Sequence, residues 1–266
     1  MDIKAFYIVV VALVAGCSSP ATRVLADATS HALPAKAVID VSDVREAIEI
    51  EKQTDANSDS SAPEGTQWFE ILEGSTPVIV TAPHATKPFR EGQYRFSDGG
   101  GTAALAKMLN KLAGVTVVYT TFASPSDPNF YDDNEFKAAV DTLISSKRPI
   151  FFLDLHGSNA YRPYDVDLGT MNGKSLLGQD ALALDIVEAL RSEGLTNISS
   201  NYFPAAANQT LTKFASARGV PAIQLEINTT WLVPVEGDLA GHRFAQLLQA
   251  LVRYLDAHTG APPSTE

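Results

Sequence analysis

Three short apolar runs that end in chemically reactive residues dominate the pattern of this 266-residue chain. The most apolar run covers residues 151–155, and His156 follows it directly. A second run leads to His84, and a third, residues 222–228, carries Glu226. Short, bulky runs of this kind are typical of strands buried on both faces of a parallel or mixed sheet. The pattern therefore predicts that buried strands bring two imidazoles and a carboxylate to one sheet edge.

Helix and strand patterns alternate along the rest of the chain. Two further strands are predicted at residues 68–72 and 115–120, and a polar loop is predicted at residues 85–97. The predicted helices cover residues 103–112, 134–146, 178–193, 211–218 and 238–258. This alternation predicts an α/β fold, a three-layer sandwich with a mixed central sheet.

Composition divides the chain into one domain and its flanks. Hydrophobic residues make up 45% of the chain, enough for one sizeable core, and we expect the domain at residues 67–258. Residues 17–66 are rich in Ala, Ser, Asp, Pro and Glu, which predicts a flexible tether. Within it, residues 38–50 could form a short strand or helix. A tail is predicted at residues 259–266.

The first residues have the pattern of an export signal. An apolar run at residues 5–15 is too short to span a bilayer but fits a signal peptide, predicted here at residues 1–16. The small residues before Cys17 resemble the lipobox of bacterial lipoproteins, in which this cysteine is lipidated. The resemblance implies an exported chain anchored to a bacterial membrane, the outer membrane facing the periplasm because Ser18 follows the cysteine. The alternative is an ordinary secretory peptide with an incidental cysteine.

Charge and cysteine content exclude several classes of function. The formal net charge of -11 argues against nucleic acid as a partner, because neutralising phosphates requires clustered Lys and Arg. Cys17 is the one cysteine of the chain, which excludes a disulfide within the chain and leaves Cys-based zinc sites without further ligands. No G-x-S-x-G motif of a serine hydrolase is present.

The two strand-borne histidines suggest a metal site. Catalytic zinc prefers two or three imidazoles and a carboxylate, with one position open to water. His84 and His156 would supply the nitrogens for Zn²⁺. Asp98 is the predicted third ligand, because the three glycines after it allow the backbone to approach the site. Glu91 is the second choice, and either acid could instead be a solvated loop carboxylate or a helix cap.

Glu226 has the features of a catalytic base. A carboxylate within an apolar strand costs several kcal/mol unless it is paired, so a role at a site is favoured over a structural accident. Near a metal-activated water it would accept the proton of the nucleophile. Asp154 lies two residues before His156 and would share its face of the strand, where it could orient the imidazole.

Arginines follow the two histidine strands. Arg90, Arg95 and Arg162 are predicted in loops, and Arg90 and Arg162 are the candidates for binding a substrate carboxylate in bidentate fashion. Solvent exposure is the default alternative for each of them.

Several motifs, in their order along the chain, resemble the N-formylglutamate amidohydrolase family, which is similar to zinc carboxypeptidases and aspartoacylases. The likeness extends over residues 76–234. Its motifs are Ala-Pro-His-Ala at 82–85, Ser-Asp-Gly-Gly-Gly-Thr at 97–102, Leu-Asp-Leu-His-Gly at 153–157, Asp-Leu-Gly-Thr at 167–170, Asn-Gly at 172–173 and Gln-Leu-Glu-Ile at 224–227.

This resemblance implies a phosphorylase/hydrolase-like fold of the zinc exopeptidase type and metal-dependent cleavage of an amide next to a carboxylate. His84 and His156 match the metal-binding histidines, and Glu226 matches the base. Lys87 stands where carboxypeptidase relatives carry an acid, three residues after the first histidine.

Together these features predict a zinc-dependent hydrolase of an N-acyl amino acid or a peptide end, with a small-molecule or peptide substrate that bears a carboxylate. The alternatives are a carboxypeptidase or cell-wall peptide amidase, and a non-catalytic surface lipoprotein that binds an acidic ligand or a metal. The sequence indicates no oligomeric state.

Overall fold

The computed structural model of the chain describes residues 36–96 and 99–260. One compact unit begins at Ala37. The predicted signal peptide, Cys17, Asp98 and most of the predicted tail lie outside the described residues. Within the described ranges, every helix is too short or too polar to cross a bilayer.

The described residues form a seven-stranded sheet and a two-stranded hairpin. In chain order the strands are β1 Phe69–Leu72, β2 Val78–Ala82, β3 Phe89–Arg90, β4 Gln93–Tyr94, β5 Thr116–Thr120, β6 Phe151–Ser158, β7 Val166–Gly169, β8 Ile198–Ser200 and β9 Ala222–Asn228. Strands β3 and β4 form the hairpin, within the segment predicted as a polar loop.

The sheet has the order β1-β5-β2-β6-β9-β7-β8. Its four central strands, β5, β2, β6 and β9, are parallel, whereas β1 and β7 run antiparallel to their central neighbours. The carboxyl ends of β2, β6 and β9 therefore share one edge of the sheet. This arrangement brings the loops after these strands together, as the sequence predicts.

Helices cover both faces of the sheet. The described helices are α1 Val41–Asn57, α2 Thr102–Ala113, α3 Glu135–Lys147, α4 Ala181–Ser192, α5 Leu211–Ser216, α6 Thr229–Leu232 and α7 Asp238–Thr259. The larger core lies between the sheet and α1, α2, α4 and α7, and the smaller core lies between the opposite face and α3 and α5. The predicted three-layer α/β sandwich with a mixed central sheet is confirmed.

Helix α1 occupies part of the segment that composition predicts as a tether. Asp40 caps it, accepting hydrogen bonds from the N–H groups of Ser42 and Asp43. On its inner side Ala47 and Ile50 are buried in the larger core. A low average hydrophobicity conceals this helix, because apolar residues at helical spacing on one side are enough to bury it.

Candidate active site

One face of the sheet changes from apolar to polar along β6 and β9. Side chains alternate between the two faces of a strand, so Asp154 and His156 share a face, as do Gln224 and Glu226. Phe152 precedes them on this face of β6 and is buried in the smaller core. The smaller core therefore ends where the polar positions begin, at the carboxyl edge of the sheet.

Glu226 lies beside His156 across two parallel strands. The two residues are direct partners in the register of β6 and β9. Gln224 Nε2 donates a hydrogen bond of 2.9 Å to Glu226 Oε1 and so orients the carboxylate. On the other side, Asp167 of β7 is the register partner of Glu226, but its carboxylate accepts a 2.8 Å hydrogen bond from the N–H of Phe203. Asp167 thus anchors a loop, whereas Glu226 lines a cavity.

His84 meets a carboxylate from the loop after β5. Nε2 of His84 lies 2.7 Å from Oδ1 of Asp127, and the same oxygen accepts a 2.8 Å hydrogen bond from the N–H of Asn129. Arg90 Nη1 lies 3.6 Å from the second oxygen, Oδ2. A buried carboxylate that touches the outer nitrogen of an imidazole fixes the orientation of the ring.

His156 packs edge to face against His84, with ring centroids 4.9 Å apart. Its Nε2 lies 3.1 Å from Asp154 Oδ2 and 2.8 Å from Asn129 Nδ2. The oxygen of the Asn129 amide accepts a 2.7 Å hydrogen bond from the N–H of Leu211, so its nitrogen faces the imidazole. Nε2 of His156 can therefore donate a hydrogen bond to Asp154 when it is protonated and accept one from Asn129 when it is not.

The negative charges around these histidines favour positive charge at this position, either on a protonated imidazole or on a bound cation. Burial by itself lowers the pKa of His156, but the negative charges of Asp154, Glu226 and Asp127 outweigh it and raise this pKa to about 9. Burial raises the pKa of Glu226, and positive charge on His156 and His84 opposes that rise. Burial also acts to raise the pKa of Asp127, but the His84 imidazole beside it brings that pKa below its usual range.

These residues line one cavity of about 280 Å³ at the carboxyl edge of the sheet. His84, His156 and Glu226 form part of its wall, with Arg90 and Arg95 on the side of the hairpin. Another part of the wall comes from the loop between β8 and α5. Its lining residues in that loop are Phe203, Pro204, Ala205, Ala207, Asn208 and Thr210. A cavity of this size accommodates a small molecule or the end of a longer one.

The chain matches no protein-family model and no curated protein sequence. Its structure is similar to N-formylglutamate amidohydrolase from Ralstonia eutropha JMP134, with a TM-score of 0.53 and 17% identity, covering 73% of this chain and 99% of that chain. The chain has the fold of this amidohydrolase. The motif resemblance and the fold thus agree. An identity of 17% shows the fold but not the activity or the substrate, which have to be inferred from the chemistry of the site.

Two further solved structures are less similar. Metallo-carboxypeptidase from Burkholderia cenocepacia has a TM-score of 0.44 and 14% identity, covering 73% of this chain and 66% of that chain. Bacteriophage poly-gamma-glutamate hydrolase has a TM-score of 0.43 and 14% identity, covering 73% of this chain and 92% of that chain.

Within this amidohydrolase fold, the structure brings together most of the predicted site residues that it describes. His84, His156, Glu226 and Arg90 all line the cavity. Arg162 does not line it: the guanidinium is exposed and stacks over the ring of Phe203, 4.9 Å from its centroid. The ring of Phe203 lies between Arg162 and the cavity, so Arg162 does not reach the cavity as predicted.

The two candidates for a third metal ligand have different outcomes. Asp98 lies outside the described residues. Glu91 is exposed at the turn of the hairpin, where it pairs with Arg95 at 3.2 Å, and it does not line the cavity. Its ion pair and its position on the hairpin explain why it is remote from the histidines.

Three further residues contact the site, and their roles were not predicted from the sequence. Asp127 and Asn129 hold the two imidazoles, and Gln224 holds Glu226. The Asp-Pro-Asn sequence at 127–129 is a turn signal after a buried strand, which could have drawn attention to this loop. Turn chemistry alone, however, does not reveal that the side chains point towards two histidines from other strands.

The described residues fit a metal in part. Each imidazole has a carboxylate against its Nε2, the arrangement that accompanies most metal-ligating histidines. Asp127 Oδ2 is buried without a hydrogen-bond partner, and the His156 imidazole lies beside the buried Asp154 Oδ2, so the site carries negative charge that a cation would compensate. In residues 36–96 and 99–260, no group of three or more His, Cys, Asp or Glu residues has the geometry of a metal site. Asp98, the predicted third ligand, lies outside these ranges.

Proposed function

We propose that this chain is a metal-dependent hydrolase that cleaves the amide bond of an N-acyl amino acid or a peptide end. The observation that carries the proposal is the convergence of His84, His156 and Glu226 on one cavity, with Glu226 beside His156 in strand register. A carboxylate with a raised pKa next to two carboxylate-backed imidazoles is typical of a catalytic constellation.

His84 and His156 would hold the metal, Zn²⁺ in our proposal, with Asp98 as third ligand. When bound, the metal supplies positive charge that acidifies water and polarises a carbonyl. Asp127 and Asp154 orient the two imidazoles from behind. Metal binding requires neutral imidazole, so His156 must give up the proton that its acidic surroundings favour.

Glu226 would move the proton of the reaction. It accepts a proton from the attacking water while the water oxygen bonds to the amide carbon. The carbon–nitrogen bond then breaks, and Glu226 returns the proton to the leaving nitrogen. The products are a carboxylic acid and an amine, so no other reactant is needed. The hydrogen bond from Gln224 keeps the carboxylate of Glu226 aimed at the cavity throughout.

Arg90 would bind the carboxylate of the substrate. Its guanidinium lines the cavity, packs over the ring of Phe130 at 4.8 Å from the centroid and is held near Asp127. A planar cation in this position suits a carboxylate that lies beside the reacting amide. Suitable substrates include N-formylglutamate and other N-acyl amino acids, and a carboxypeptidase or wall-peptide amidase would bind the end of a peptide in the same way.

Kinetics of Glu226→Gln combined with metal analysis test this function. We expect purified chain to contain a divalent metal, to hydrolyse members of an N-acyl amino acid and peptide panel, and to lose activity with a chelator. Glu226→Gln should retain the metal and lower kcat by about a hundredfold or more. Glu188→Gln, an exposed acid on α4, is the matched control. Metal binding without any hydrolysis would favour the non-catalytic lipoprotein instead.

We also propose that the chain is exported and anchored to a bacterial membrane through lipidated Cys17, on the periplasmic side of the outer membrane. The resemblance of the first residues to a lipobox supports this location. The proposal places the substrate outside the cytoplasm, where peptide ends of the cell wall are available.

A further inference from the structure

The segment that follows helix α1 lies against the loops that follow β2 and β5. The N–H of Ala123 donates a 2.9 Å hydrogen bond to the carbonyl of Ser60, and the N–H of Lys87 donates a longer one, 3.4 Å, to the carbonyl of Ser58. Between the two serines, the side chain of Asp59 forms an ion pair with Lys87. The segment therefore contacts both loops at once.

Further backbone hydrogen bonds join these two loops to each other. The N–H of Ser124 donates a 2.9 Å bond to the carbonyl of Lys87, and the N–H of Phe89 donates a 2.9 Å bond to the carbonyl of Ser124. The N–H of Asp127 in turn donates a 3.0 Å bond to the carbonyl of Phe89. Asp127 contacts His84, which lies three positions before Lys87. A continuous row of hydrogen bonds thus leads from the segment after α1 to the candidate active site.

Helix α1 fixes the start of this segment. Ala47 and Ile50 are buried in the larger core, and Asp43 pairs with Lys111 of α2 at 3.1 Å. Ser58 is the C-cap residue of the helix, so the segment begins where the docked helix ends. The position of α1 on the domain therefore determines where the carbonyls of the segment lie.

Glu51 weakens the docking of α1. Its side chain is buried, and it accepts a 3.2 Å hydrogen bond from the N–H of Val235 in the turn before α7. The negative charges of Asp55, on the same helix, and Glu236, in the same turn, act on it. Burying a carboxylate near like charges costs free energy, so α1 docks less firmly than its apolar contacts alone would allow. An element of this kind can open locally while the rest of the domain stays folded.

We propose that helix α1 and residues 58–60 form a strap that positions the loops carrying His84 and Asp127. The docked helix holds residues 58–60, and these hold the two loops through the row of hydrogen bonds. Local opening of α1 loosens the contact between His84 and Asp127 and so weakens metal binding. The effect on metal rests on the proposed function, whereas the contact between the strap and the loops does not depend on it.

Hydrogen exchange of two variants tests the strap. Ile50→Ala removes buried methyl groups from α1, and Ile186→Ala makes the same change in the same core but on α4. The readout is the exchange of the N–H groups of Lys87 and Ala123, which are bonded to the strap. We expect it to be at least tenfold faster in Ile50→Ala than in Ile186→Ala. The buried Leu153 of β6 reports global unfolding, and its exchange serves to correct for it.

Metal affinity connects the strap to the site. Competition with a chelator of known affinity should show that Ile50→Ala binds metal at least threefold more weakly than Ile186→Ala. The physical reason is that Asp127 orients the His84 imidazole for a smaller fraction of the time when α1 is open. A purely structural effect of a smaller core would lower the affinity equally in both variants.

Further variants provide the test if Ile50→Ala fails to fold. Ile50→Val and Ile186→Val form a milder matched pair, for which we expect the same order with a difference of at least twofold in exchange. Glu51→Gln acts in the opposite direction, because it removes a buried charge from α1 and keeps the hydrogen-bond acceptor. At pH 8 it should slow exchange at Lys87 and Ala123 at least threefold.

The outcomes separate the strap from the proposed function. Unchanged exchange at Lys87 and Ala123 in Ile50→Ala, with faster exchange within α1, would overturn the strap. Faster exchange at both groups with the metal affinity of Ile186→Ala would overturn its positioning role. A natural chain that binds no metal would contradict the proposed function, and the exchange data would then support or overturn the strap by themselves.

Discussion

Asp127 and His84 face each other across two loops, with Oδ1 of the carboxylate 2.7 Å from Nε2 of the imidazole. Asp127 is buried and lies behind the ring, so it can orient the imidazole. We predict that Asp127→Asn weakens metal affinity about 10- to 100-fold. Competition with a chelator of known affinity measures the change. Asp133→Asn, an exposed acid in the same loop, is the control, and equal metal affinity in both variants would contradict the orienting role.

Gln224 is predicted to act on the reaction through Glu226. It is buried, and its 2.9 Å hydrogen bond reaches Oε1 of the carboxylate. A hydrogen bond to a charged group contributes about 1.5–3 kcal/mol, so Gln224→Ala should lower kcat by roughly 10- to 100-fold. The metal content should stay unchanged and KM should change much less than kcat. Loss of metal together with activity would instead show that the substitution disrupts the histidines.

Glu51 on α1 should make the stability of the domain depend on pH. Burial raises its pKa to about 7, and the charges of Asp55 and Glu236 act in the same direction. The unfolded chain releases this proton near pH 4.3, whereas the folded chain keeps it until about pH 7. The free energy of unfolding should therefore fall as pH rises between these values, by up to roughly 3 kcal/mol, and stay level above them.

Denaturant unfolding of Glu51→Gln at several pH values measures this effect. Glutamine can still accept the hydrogen bond from the N–H of Val235 but cannot ionise. The variant should be more stable than the natural chain at pH 8 and should lose the slope between pH 4.3 and pH 7. Glu49→Gln, on the exposed side of the same helix, should keep the slope. An unchanged slope in Glu51→Gln would assign the pH dependence to another group.

Lys137 should stabilise the loop that forms one wall of the cavity. Its buried ammonium pairs with Asp132 at 2.7 Å and donates a hydrogen bond to the carbonyl of Gln209 in that loop. Lys137→Met leaves the carbonyl without this donor, so we expect a loss of about 1–3 kcal/mol in the free energy of unfolding. KM should rise while the metal content stays constant. Lys213→Met, on α5 and outside the cavity lining, is the control, and an identical KM in both variants would contradict the role of Lys137.

Cys17 is predicted to hold the chain at a membrane. Expressed in full in a bacterium that processes lipoproteins, the natural chain should sediment with the membranes and incorporate labelled fatty acid. Cys17→Ser should move the chain to the soluble fraction, because a single secretory signal without the lipid gives no anchor. Equal membrane association of both forms would show that export or anchoring uses another feature.

The amino-acid sequence by itself determined the layered α/β fold and pointed to three residues that line one cavity. Parallel strands buried on both faces are continuous apolar runs, so they can be recognised in the sequence without knowing which strands are their neighbours. His84, His156 and Glu226 are visible for the same reason, because each interrupts or ends such a run. Helix α1 was less visible, since its buried residues are a minority in a polar segment and only their spacing reveals them.

Only the tertiary structure decided which other residues join these three. Asp127 is 43 positions from His84, and Asn129 lies 27 positions from His156 and 82 from Leu211. These contacts depend on β5, β2, β6 and β9 being neighbours in that order. Strand order arises from the packing of the whole sheet and its two helix layers, whereas a local pattern reports only whether a strand is buried. For that reason the sequence indicated the two histidines and the glutamate, whereas only the fold shows that Asp127, Asn129 and Gln224 contact them.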